Sequence, residues 1–231
     1  MSARLTRAAL ALGAAGLLGL TVLPATSAGA AQNAAQENAT VTVFHGIPGT
    51  TVDVYANGKR LLSGFTPGSL SSPLSLPADS YDIEVFKAGA SPSGTPVVER
   101  TVEVTEGANA SVTANLNVNG RPALNTFVND TSRVPDGQSR LVVRHVADAP
   151  AVDVRAGGTP VFKNVQNPEQ EQTEVDAGSV NADVVLTGTT TVVIGPATLN
   201  LESGATTVVY AWGSADAENL ALKVQQLSST S

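Results

Sequence analysis

The sequence predicts an all-β chain made of two tandem β-sandwich, immunoglobulin-like domains, and three observations carry that prediction. The chain repeats itself: Val52-Asp53-Val54 and Gly58 recur as Val152-Asp153-Val154 and Gly158, and His45 meets His145 at the same offset with no gap. A period of about 100 residues is too long for a solenoid unit and suits a duplicated domain. Apolar residues alternate with polar ones at period two, as strands with one buried face require. Clusters of Gly, Pro, Asn and Ser interrupt that alternation every eight to twelve positions, roughly the spacing of short strands in a sandwich. A closed barrel has the same periodicity and stays open as an alternative.

In chain order, residues 1–30 read as a signal peptide. Arg4 and Arg7 give a positive start, Ala8 to Leu23 is an apolar stretch, and Ala28-Gly29-Ala30 offers the small-x-small cleavage pattern. The stretch is too weakly apolar for a membrane anchor, which needs roughly 20 strongly apolar residues. Residues 31–39 form a polar leader, 40–129 the first β-sandwich repeat, 130–139 a linker and 140–231 the second repeat. Val134 in the linker, with Phe127 and Val128 just before it, is expected to seat one repeat against the other. The chain ends in Ser-Ser-Thr-Ser, without a sorting signal or apolar tail. Secretion to the extracellular space is therefore expected. No cysteine is present, so the cores must hold each repeat without disulfides.

Within the repeats, Val41, Val43 and His45 share one strand face while Thr42 and Phe44 share the other. Ile83, Val85 and Lys87 alternate with Asp82, Glu84 and Phe86, and Val102 and Val104 alternate with Thr101, Glu103 and Thr105. Asn57-Gly58 between Val52–Tyr55 and Lys59–Leu62 predicts a two-residue hairpin turn, with Gly157-Gly158 in its place in the second copy. Each repeat is expected to hold seven or eight strands and no long helix.

The formal charge is −7, and losing Arg4 and Arg7 with the signal peptide takes it to −9. Lys and Arg are not clustered, which excludes a phosphate-tracking groove for nucleic acid. An anionic lipid surface would repel such a chain as well, so membrane insertion is not expected.

The one constellation with chemical potential is His45 with Asp53 and its copy His145 with Asp153, to which the second copy adds Asp148. A strand, a Pro-containing turn and a second strand would set imidazole and carboxylates side by side for metal binding or proton transfer. One imidazole and one carboxylate are too few for a stable zinc site. His45 also has the parity of core-facing valines, where a backbone carbonyl would hold its ring. These four residues are accordingly read as a structural motif, with no metal and no cofactor. The chain contains no nucleophile elbow, His-Glu-x-x-His, phosphate loop or calcium loop, so no catalytic residue is assigned.

Tyr210 and Trp212 share a face at the end of the strand 206–211 and are the candidate ligand-binding residues, because exposed rings stack on sugars. Large aromatics are more often buried, which favours a core-capping role for the pair.

His145-Val-Ala-Asp-Ala-Pro-Ala-Val-Asp-Val resembles the marker His-x-Ser-Pro-Asp-Ala-Pro-Ala-Val-Asp-Val of the secreted bacterial domain of unknown function 4397. The block Leu76-Pro77-Ala78-Asp79-Ser80-Tyr81-Asp82-Ile83-Glu84-Val85 is similar to a second recurring element of that family. In the first copy Ile47-Pro48 stands where the second has Ala147-Asp148. The resemblance implies an extracellular or cell-surface β-sandwich with no assigned reaction.

The sequence thus points to a secreted, non-catalytic binding or spacer module at or near the bacterial envelope. Its partner would be extracellular, such as a cell-wall polymer or a protein. The alternatives are a glycan-binding protein using the Tyr210/Trp212 surface and, behind it, a metal-dependent hydrolase.

Overall fold

The computed structural model describes residues 37–229. The expected signal peptide and most of the leader lie outside the described residues. Sixteen strands and no helix occur among those described. The first half holds β1 (Ala39–Gly46), β2 (Val52–Ala56), β3 (Lys59–Phe65), β4 (Leu74–Leu76), β5 (Asp79–Lys87), β6 (Val98–Val104), β7 (Asn109–Leu116) and β8 (Pro122–Val128). The second holds β9 (Gln138–Asp148), β10 (Val152–Ala156), β11 (Thr159–Val165), β12 (Gln170–Asp176), β13 (Gly178–Leu186), β14 (Val192–Leu201), β15 (Ala205–Ser214) and β16 (Ala221–Ser228).

These strands form four separate four-stranded sheets, so the barrel alternative does not describe them. The first half has the orders β4-β1-β7-β8 and β3-β2-β5-β6, and the second β12-β9-β15-β16 and β11-β10-β13-β14. The orders correspond strand for strand. In each half the first strand pairs in parallel with the seventh, and every other neighbour is antiparallel. The β2–β3 turn has Asn57 at φ 49° and Gly58 at φ 73°. Two left-handed residues give the turn a twist that matches its flanking strands.

Alternation explains the first two cores. Val41, Val52, Val54, Val85, Val112 and Leu124 meet between the two sheets of the first half. Leu141, Val143, Val152, Phe162, Val184 and Val209 do the same in the second. A third apolar cluster lies where alternation predicts the polar faces. It joins Phe44 and Phe127 of the first half to Val142, Val146, Val208, Tyr210 and Leu227 of the second. The β4-β1-β7-β8 and β12-β9-β15-β16 sheets therefore pack on each other by the faces turned away from their own cores. We call these the inner sheets.

Residues 129–137 connect the halves without a strand, and β9 begins at Gln138, earlier than the expected repeat boundary. Arg140 pins this segment, donating from Nη1 to the carbonyls of Asp130 and Ser132 at 3.2 and 3.1 Å. Val134 is buried and so is Phe127, but Val128 is 68% exposed. Strand alternation turns Val128 away from Phe127, so it cannot help seat the halves.

Candidate functional site

The two histidines close equivalent turns. His45 is the penultimate residue of β1, and its Nε2 lies 2.7 Å from the carbonyl oxygen of Thr50. His145, in β9, places Nε2 3.0 Å from the carbonyl oxygen of Pro150. The backbone N–H of Ala147 donates to His145 Nδ1 at 3.3 Å. Nδ1 is then an acceptor and Nε2–H the donor, which describes a neutral ring. His45 rests against Phe65, ring centroids 5.9 Å apart.

The aspartates tie three segments together. Asp53 accepts from Gly64 N at 2.8 Å and Gly89 N at 3.1 Å. Asp153 accepts from Asn164 N at 2.8 Å, Thr187 Oγ1 at 3.1 Å and Gly188 N at 3.3 Å. Gly64 and Asn164 both have positive φ, 60° and 55°. Each lies within a register shift between the strand that carries the aspartate and its hairpin partner. One carboxylate thus fixes an irregular β2–β3 ladder (β10–β11 in the second half) and the turn after β5 (after β13).

These residues do not converge. His145 and Asp148 are three apart on one strand and lie on opposite faces. His145 faces its own core edge, whereas Asp148 accepts from Ser214 Oγ at 3.0 Å beside the other half. Asp153 shares no hydrogen-bond partner with either. Among the described residues no group of three or more His, Asp or Glu side chains is placed to hold a metal ion.

Tyr210 and Trp212 do not form an open platform. Tyr210 is 0% exposed. Its ring stacks on Phe44 at 4.6 Å and its hydroxyl donates to Gln225 Oε1 at 2.6 Å. Trp212 is half-buried, edge-on to Phe44 at 6.1 Å. The backbone of Gly68 comes so close that a Cβ there would sit 2.7 Å from the indole. The expected ligand face of Tyr210 is corrected by this packing: the other half of the chain covers its ring.

The cleft nearest the motif has a volume of about 320 Å³ and is lined by Val118, Asp148, Pro150, Gln166, Asn167 and Asp216. Val118 comes from the β7–β8 turn, so both halves contribute to it. Asn167 helps to build it, donating from Nδ2 to the carbonyls of Leu116 and Ala147 at 2.8 and 2.5 Å. Sequence reasoning singled out Asp148 but missed Asn167, Val118 and Asp216. They belong to turns far apart in sequence, and no local pattern links them.

Residues 39–155 match the family described as Domain of unknown function (DUF4397). The chain belongs to this family. The DUF4397 match runs from β1 into β10, so it contains both His–Asp motifs. No curated protein matches the chain.

Burial lowers the pKa of both histidines below the ordinary 6.5, and in each case it outweighs the carbonyls that favour the charged form. Below pH 6.5 the unfolded chain takes up protons that the folded one refuses. The histidine contribution is therefore intact above 6.5 and is lost as pH falls toward the folded values. Asp53 and Asp153 are held below the ordinary 3.8, chiefly by the backbone N–H groups of Gly64 and Asn164. Their contribution is present above 3.8 and is lost below it. Urea unfolding as a function of pH should show two descending limbs. His45→Gln/His145→Gln should flatten only the limb that begins as pH falls below 6.5 and leave the carboxylate limb below 3.8 intact, and an unchanged first limb would show that other groups cause it.

Proposed function

We propose that this chain is a secreted, non-catalytic β-sandwich module of bacterial origin, acting as a spacer or binder at or near the cell envelope. Its two halves are read as a tandem duplication of one immunoglobulin-like unit. The observation that carries the reading is the third apolar cluster, which joins the inner sheets and gives the pair one fixed geometry. A fixed pair suits a spacer. It also suits a two-site binder, because two weak sites at constant separation gain avidity without any change in either contact.

The motif residues support a scaffold role. His45, His145, Asp53 and Asp153 bond to the chain's own backbone and present no free reactive pair. The glycan reading loses its Tyr210 ring to the interface between the halves. A cell-wall polymer or a protein remains the proposed partner class, and the net charge of −7 argues against nucleic acid. Among the described residues no helix is long and apolar enough to cross a membrane.

Small-angle X-ray scattering of the mature chain tests the fixed pair. A single conformation should fit the data, and a curve that requires a broad ensemble of orientations would reject a spacer of constant length. Amino-terminal sequencing of protein recovered from culture medium tests export. The expected start is residue 31 or 32, and an intact Met1 terminus counts against it.

A further inference from the structure

The strand registers align the two inner faces residue by residue, and eight of the aligned positions have changed chemical class. Val142, Val146, Val208, Tyr210, Trp212 and Leu227 of the second half stand where the first has Thr42, Gly46, Ser111, Thr113, Asn115 and Asn129. The reverse exchange occurs at two positions: Phe44 and Phe127 of the first half correspond to Arg144 and Gln225 of the second.

The exchanged residues meet across the interface. Phe44 stacks on Tyr210. The Arg144 guanidinium lies 4.7 Å above the Phe127 ring, and its Nη2 donates to Asn129 Oδ1 at 2.6 Å. Arg144 Nε donates to Gln170 Oε1 at 3.0 Å and Nη1 to the Tyr210 hydroxyl at 2.7 Å. Ser111 Oγ donates to Gln225 Oε1 at 3.5 Å. Arg144 is only 1% exposed, and among the described residues no carboxylate pairs with it. Its charge is compensated by neutral acceptors and two ring faces, and Asn129 and Phe127 among these belong to the first half.

We propose that the two inner faces are a matched pair that recognise each other and reject copies of themselves. Two second-half faces brought together would bury two guanidinium groups, each without the first half's amide and phenylalanine. A buried charge that loses its partners is strongly unfavourable. Two first-half faces would lose the Tyr210 ring that stacks on Phe44 and the guanidinium over Phe127. They would also set Ser111, Thr113, Asn115 and Asn129, which bond to one another within their own half, where the apolar Val142, Val208 and Tyr210 now pack. The two faces thus form a directional pair, each complementary to the other and not to itself. The partner each face fits is the other half, not a second copy of the same half. This rests on the fixed-pair reading above and adds selectivity to it.

The test is to insert a protease site between Pro135 and Asp136, on the exposed stretch that follows the buried Val134, and to cut the folded full-length chain. Native mass spectrometry follows, before and after one cycle of unfolding in urea and refolding of the mixture. The two fragments differ in mass, so each kind of pair is resolved. The expected result is one-to-one complexes of unlike fragments at micromolar concentration, with like pairs at least tenfold rarer after refolding. A statistical mixture of like and unlike pairs would overturn the selectivity while leaving the fixed pair intact. Fragments that separate on cutting, or that fail to pair again, would overturn both.

Discussion

Phe44→Ala is expected to destabilise the protein by about 3–5 kcal/mol, the usual range for a fully buried phenylalanine. Phe44 is 0% exposed although it points away from the core of its own half. Its ring stacks on Tyr210 and meets Trp212 edge-on, so truncation opens a cavity in the cluster between the halves. Aromatic pairs of this geometry add about 0.5–1.5 kcal/mol beyond their buried area. Urea unfolding measures the loss. A cost below about 1 kcal/mol would mean that the ring is not held between the inner sheets. Phe44→Leu retains most of the volume and should cost markedly less than Phe44→Ala.

Asp53→Ala is expected to cost about 1–3 kcal/mol, the penalty for leaving donors without their acceptor. The carboxylate is 4% exposed and holds Gly64 N and Gly89 N at once, so its loss frees both the irregular ladder and the next hairpin turn. Asp53→Asn keeps one acceptor oxygen and should fall between the wild type and the alanine variant. The equivalent bonds of Asp153 lie in a more exposed setting, so Asp153→Ala should cost less than Asp53→Ala. Thermal or urea melts of the three variants give the order directly. Equal costs for Asp53→Ala and Asp153→Ala would reject burial as the source of the difference.

Much of this architecture was legible in the chain. The offset between His45 and His145 marked two equivalent halves, and alternation at Val41, Val43, Ile83, Val85 and Val102 located core-facing strand residues. Asn57-Gly58 marked a hairpin because both residues readily take the left-handed conformation of a two-residue turn whose twist matches the strands it joins. The partners of Asp53 were not legible. Gly64, inside β3, and Gly89, in the turn after β5, carry no local mark of this role until the ladder irregularity and the hairpin bring their N–H groups to one carboxylate.

The sequence by itself determined the element type, the period and the two cores within the halves, because these depend on residues two apart on one strand or on adjacent turns. The tertiary structure decided what covers the other faces of the inner sheets. Thr42 and Phe44 alternate with the core positions in the manner of a solvent face, and nothing local distinguishes a face that meets water from one that meets another sheet. Arg144, Tyr210 and Phe127 become one buried cluster only when residues from the two halves are packed together. The physical reason is the range of the signal: pleat and turn geometry are set within a few residues, whereas the third core depends on complementarity between two surfaces about 100 residues apart.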